Sequence, residues 1–316
     1  MVSRMKIFAA VLFIAGFFCL VQASGCADSL IAATMSNDLK HVKALVSGGC
    51  DVNAYTPDGL TALHSSARYG KDTNILKYLL NKGASVYATT SIGATPLMYA
   101  VAFNPNSNVT KMLIDAKSDV TARLKERHNL EKFYDIEIYG SKTSKSQLSS
   151  KLSNAGFGLL DMAIMSQNLA TVSLITTKVK KQYSEEEQYN LNKLAICVND
   201  DTKILKALFK AGIDCRQSIY GGELAMDASR YGKGKEWFEL LLQGNGAIPV
   251  KELHSNLLIF GIQSETPLPP QSVGFILKTT NRFDIDGILE MAIKMPVNDY
   301  RNELIEVITK VKQGLL

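Results

Sequence analysis

The sequence predicts an all-α solenoid of helix-turn-helix units joined by short β-turn fingers. Three observations predict it. Asp51-Val52-Asn53 is echoed 34 residues later by Ser85-Val86-Tyr87, and again after 34 by Asp119-Val120. Gly59-Leu60-Thr61-Ala62-Leu63-His64 recurs at the same offset as Gly93-Ala94-Thr95-Pro96-Leu97-Met98. Leu79-Leu80 recurs as Leu113-Ile114. A fixed period of 20–50 residues is the mark of a repeat architecture, in which each unit buries its apolar face only against its neighbours.

Residues 1–23 form a separate segment. Arg4 and Lys6 precede 15 uncharged, mostly apolar residues at 7–21, and Val21-Gln22-Ala23 ends the run. This is the three-part pattern of a secretory signal. The run is short of the ~20 residues that span a bilayer. Ala23-Ser24-Gly25-Cys26 also resembles a bacterial lipobox, with Ala23 where Leu is usual. Cleavage after Ala23 gives an exported protein, in the periplasm or secreted. Lipidation of Cys26, or an uncleaved 7–21 run, gives a membrane-tethered one.

The first unit runs from about Asp28 to Asn53, with Leu30, Ala33, Leu39, Val42 and Leu45 at core spacing. The second and third carry the 34-residue phrases, with Leu63, Leu79, Leu97 and Leu113 as their apolar layer. Gly83 sits where a helix needs its C′ glycine. These residues, above all "DGLTALHSSARYG…ILKYLLNKGASV" from Asp58 to Val86, resemble ankyrin repeats. Thr61-Ala62-Leu63-His64 stands for the family's TPLH and Gly49-Cys50-Asp51-Val52-Asn53 for its GADVN. The resemblance implies two antiparallel helices and a β-turn per unit, and His64 hydrogen-bonded to backbone between repeats.

Residues 121–156 interrupt the array. They hold seven Lys/Arg against four Asp/Glu, which equals the net +3 of the chain without residues 1–23. The stretch 133–140 alternates apolar and acidic residues and reads as a short strand; 141–153 is Ser/Lys-rich and reads as a loop. Two readings fit Phe133, Tyr134 and Tyr139: aromatic anchors of a partner-binding finger, or side chains packed on adjacent repeats.

Residues 157–316 read as diverged repeats with a C-terminal cap. Leu160, Ala163, Ile164, Leu169, Val172 and Ile175 fit a fourth unit; Leu191, Ala195, Ile204, Leu205 and Leu208 a fifth; Leu224, Ala228, Phe238 and Leu241 a sixth. Weaker units follow over 257–277 and 287–308, the last with Lys294, Asp299, Arg301, Glu303 and Glu306 as a solvated end.

No catalytic constellation is legible. The sequence has four histidines and no HExxH, GxSxG or phosphate loop. Gly221-Gly222 reads as a β-turn, and Lys233 and Lys235 as solvated lysines in a turn. Cys50 and Cys215 read as buried thiols, with a Cys197–Cys215 bridge left open. Of the whole chain, 46% is hydrophobic and 21% charged, with a net charge of +5. That balance excludes a disordered or polytopic membrane chain and gives no ground for nucleic acid.

The reading is therefore a non-enzymatic exported module, without cofactor or metal, that binds a protein partner. One form of it inhibits or neutralises a secreted effector. The alternatives are a membrane-tethered lipoprotein scaffold and an enzyme or stress-protection factor with an unrecognised site. By the family resemblance, Tyr55, Pro57, Asp58, Tyr87 and Ile92 at the turn tips are the candidate contact residues.

Overall fold

A computed structural model describes residues 25–124, 133, 157–178, 183–243 and 246–316. The chain divides into two compact units, residues 1–179 and 180–316.

In the first unit, helix α1 (25–35) is followed by α2 (Leu39–Ser47), α3 (Ala62–Tyr69), α4 (Asn74–Asn81), α5 (Pro96–Phe103) and α6 (Ser107–Asp115), then α7 (Leu159–Met165) and α8 (Leu169–Lys178). First helices stack on first helices: α3 on α5, and α5 on α7. Second helices form a parallel column, α2 with α4 and α6 with α8. Leu63, Leu79, Leu97 and Leu113 are all buried between these layers. Ala67 and Ala100 are fully buried and have no side chain beyond Cβ to hold the helices apart.

The sequence dictates the helix starts. Thr61 and Thr95 are extended N-caps whose side chains accept from the amides of His64 and Met98, and Pro96 occupies the first turn of α5. The fingers stack through backbone: Ser91 N–H donates to Asp58 O at 2.8 Å. Gly59 is required there. Its φ is +77°, and a Cβ would stand 2.8 Å from Thr89 O.

Asparagines latch one repeat to the next. Asn53 accepts from Ser85 N–H (2.8 Å) and donates to Gly83 O (3.1 Å). Asn104 donates to Ala67 O and Gly70 O at 2.9 and 3.0 Å, and Asn168 to Pro105 O at 2.9 Å. Asn104 satisfies carbonyls stranded at the end of α3, and Asn53 and Asn168 satisfy carbonyls in the turns between helices.

A two-residue antiparallel ladder, β1 (Arg123–Leu124) with β2 (Phe157–Gly158), closes the neck of the interruption. The expected strand over 133–140 and loop over 141–153 lie outside the described residues, apart from Phe133. That residue is helical rather than extended.

Cys26 and Cys50 form a disulfide with Cα atoms 5.5 Å apart. This corrects the reading of Cys50 as a free thiol. Helix α1 continues back to Cys26 and returns it to the end of α2, a placement that the residue's position beside an export signal disguised. A thioether-linked lipid needs the same Cys26 sulfur, so the bridge and lipidation exclude each other. Neither Cys197 nor Cys215 is in a disulfide, so the bridge left open between them is not formed.

In the second unit, α9 (Glu185–Val198), α11 (Gly221–Arg230) and α13 (Leu257–Ile262) stack in one column. Helix α10 (Lys203–Lys210) packs on α9 and α12 (Lys235–Leu242) on α11; α14 (Pro270–Thr280) packs on α12 and on α16 (Asp299–Lys312), which also meets α15 (Ile285–Lys294). Ser184 and Glu187 make a reciprocal capping box at α9.

Gly221-Gly222, read as a turn, instead opens α11. A Cβ on Gly222 would lie 1.8 Å from Glu252 O, so glycine lets the following turn rest on the helix backbone. Lys233 is not solvated as expected. It is half-buried, its Nζ donates to Asn199 O at 2.6 Å, and it lies over the Trp237 ring. Burial lowers its pKa. Leu169 is the one named core position of the fourth unit that stays exposed.

Candidate protein-binding surface

The fingers of the first unit present the expected tip residues as an open surface. Tyr55 and Tyr87 are 68% and 63% exposed, although both are large and apolar enough to be drawn inside. Pro57 and Asp58 are exposed and Ile92 is half-exposed. Their backbones are fixed. Tyr55 bridges to Thr61 across the turn, Thr56 N–H donates to Leu60 O, and Gly59 N–H donates to Thr56 O at 2.7 Å. Tyr87 is held further, because its hydroxyl donates to Lys117 O at 3.0 Å. Side chains presented on a rigid backbone lose little freedom on binding, and tyrosine offers large area with few rotatable bonds.

His64 builds the finger from below. Its Nδ1 accepts from Thr61 N–H at 3.2 Å, with Thr61 Oγ1 2.9 Å away, and its Nε2 lies 3.2 Å from Ala94 O of the next repeat. The ring is therefore neutral, with its proton on Nε2. Burial lowers its pKa to about 4. It ties one finger to the next and is fully buried, away from solvent chemistry.

Phe133, read either as a finger anchor or as packed on the adjacent repeats, is 1% exposed and lies against α5, which fits the second reading and not the first. Its ring is 5.1 Å from that of Tyr99 and 5.0 Å from that of Phe103. The physical reason is an apolar, aromatic α5 that offers a better environment than water. Tyr134 and Tyr139 lie outside the described residues, as does His128.

The second unit holds a polar network with no motif to announce it. Asp227 on α11 is fully buried. Tyr189 Oη donates to its Oδ2 at 2.9 Å, Lys193 Nζ is 3.3 Å from the same oxygen, and Arg230 Nη1 is 3.6 Å from Oδ1. Lys193 Nζ also donates to Tyr189 Oη, and the Tyr189 ring stacks on Tyr220. Burial and the Asp227 carboxylate raise the Tyr189 pKa, so the phenol stays protonated. The network neutralises a buried charge and fixes α9 on α11. Only its 38-residue separation across two diverged units kept it from being read in the sequence. Among the described residues no three His, Cys, Asp or Glu side chains are grouped to hold a metal ion, and no helix is long and apolar enough to cross a membrane.

Comparison with known families matches residues 30–123 to ankyrin repeats, in three copies. No curated protein matches the chain. Residues 30–123 are ankyrin repeats, and such repeats are a protein–protein interaction module.

Proposed function

We propose that this ankyrin-repeat protein is an exported, non-catalytic binding module that engages a protein partner through the fingers of its first unit. The observation that carries the reading is the pair Tyr55 and Tyr87, exposed on successive fingers whose backbones are locked to each other. Exposed aromatic residues on a rigid scaffold are the usual anchors of protein interfaces.

Export is supported by two independent features. Residues 1–23 have the three-part pattern of a secretory signal, and the Cys26–Cys50 disulfide suits an oxidising compartment. A partner in the periplasm or outside the cell follows from that location. Neutralisation of a secreted effector is the specific form proposed, since a scaffold that binds without catalysis acts by occupying its partner's surface.

Two measurements test this. Mass spectrometry of the mature N-terminus is expected to find Ser24, with the chain two mass units lighter than its reduced form. An intact Met1 contradicts export. Affinity capture by the mature protein and by a Tyr55→Ala/Tyr87→Ala variant is expected to lose the same partner in the variant, whereas equal capture contradicts the finger surface.

A further inference from the structure

The second helices of the first unit are apolar on their inner sides, where Val42, Leu76, Leu79 and Leu113 are buried. Their outer sides are basic. Residues 39–47, 74–82, 107–117 and 169–178, the second helices with the residues that close them, hold seven lysines and one acid, Asp115. The other described residues of the unit hold seven acids and three basic residues. The modest net charge of +5 conceals this segregation. Among the described residues only Lys178 of the seven has a carboxylate within reach, Asp115 at 4.0 Å.

The lysines are in register. Lys43, Lys77 and Lys111 recur at intervals of 34 residues, at the same place on α2, α4 and α6, and all three are exposed. The repeats stack through their first helices, and packed helices lie about 8–10 Å apart. Successive ammonium groups are thus spaced by about one Debye length at physiological salt. Three residues further along each helix, Val46, Leu80 and Ile114 recur at the same interval and are half-exposed. Residues three apart share a helix face. Half-exposed Tyr78 lies between Lys43 and Lys82, whose Nζ atoms are each 5.8 Å from its ring centroid.

A solvated helix face ordinarily mixes both signs, because paired charges support it. A row of one sign repels itself and works against folding, but it complements an anionic surface. The chemistry here is that of a membrane interface rather than of a nucleic-acid groove. These helices carry no arginine, the residue that grips a phosphate through paired N–H groups. A lysine stem lies along apolar surface while its ammonium reaches out to charged headgroups. Half-exposed aliphatic and tyrosine side chains suit the boundary between headgroups and acyl chains.

We propose that the outer face of α2, α4 and α6 docks peripherally on an anionic lipid bilayer, without a lipid anchor. This goes beyond the protein-binding reading, because the surface is separate from Tyr55 and Tyr87 and takes a different kind of partner. Each lysine near such a bilayer raises the binding constant on the order of fivefold.

The test is sedimentation of the full chain after residue 23 with vesicles of phosphatidylcholine alone, or of equal parts phosphatidylcholine and phosphatidylglycerol. Binding is expected only to the anionic vesicles. It is expected to fall steeply between about 0.1 and about 1 M salt, as the Debye length shrinks from about 10 to about 3 Å. Lys43→Gln/Lys77→Gln/Lys111→Gln is expected to bind at least tenfold more weakly, and the same three changes to arginine to bind as wild type. Lys210→Gln/Lys251→Gln/Lys278→Gln removes equal charge from exposed sites of the second unit and is expected to bind as wild type too. No binding, equal binding to both vesicles, or equal loss in the two glutamine variants overturns the proposal. Binding to inorganic polyphosphate but not to the vesicles makes the partner a soluble polyanion and overturns it as well. Tyr55→Ala/Tyr87→Ala is expected to bind vesicles normally, so failure here leaves the finger surface standing, and failure of partner capture leaves this surface standing.

Discussion

His64 is structural in this chain because burial keeps its imidazole neutral. Its pKa is lowered from 6.5 to about 4. The unfolded chain binds a proton near pH 6.5, and the folded chain only near pH 4. Stability from this residue is therefore complete above pH 6.5, declines as pH falls, and is gone below about pH 4. The difference corresponds to roughly 3 kcal/mol between the two protonation states. Urea midpoints measured from pH 7.5 to 4 are expected to fall for wild type. His64→Ala is expected to be about 2 kcal/mol less stable at pH 7.5, since Thr61 N–H and Ala94 O lose their partner, with a shallower decline below pH 6.5. The role of this residue was legible, since Thr61-Ala62-Leu63-His64 carries it. Phe133 was legible only as two alternatives, a finger anchor or a side chain packed on adjacent repeats, and its burial answers to the second. Its local alternation with acidic residues resembles an exposed strand, and only the aromatic α5, met through the tertiary fold, decides otherwise.

At the scale of elements, the stacked helices follow from local rules that sequence displays: capping threonines, apolar spacing and finger glycines. The features that escaped are those made by distant pairs. The ladder of Arg123–Leu124 with Phe157–Gly158 is two residues long and has no alternation to detect. The Cys26–Cys50 bridge joins positions that belong, by pattern, to an export signal and to a repeat. Alkylation of the denatured mature protein is expected to label two cysteines, Cys197 and Cys215, without reductant and four with it. A lipidated Cys26 leaves three in both cases. Reduction is expected to cost about 2–4 kcal/mol, with the loss of hydrogen-exchange protection confined to α1 and α2. The start of α11 makes a second, separate claim. Gly222→Ala is expected to destabilise the chain by about 1–3 kcal/mol through overpacking against Glu252 O, which a shift in thermal midpoint checks. An unchanged midpoint means that the turn after α12 has room to move.

At the scale of the whole molecule, stability is a nearest-neighbour sum, and function is assigned to the surface that the stack leaves uncovered. Ankyrin repeats at residues 30–123 make protein binding the coarse conclusion. The finer claim is that the fingers, with Tyr55 and Tyr87 outermost, are where the partner sits. Lys77 on the second helix α4 is exposed too and serves as the comparison. The most direct measurement places a photo-crosslinking phenylalanine analogue at position 55, 87 or 77 in turn, in the native cells. The account predicts one protein adduct, shared by positions 55 and 87 and missing at 77. An adduct at 77 with none at 55 or 87 would contradict it.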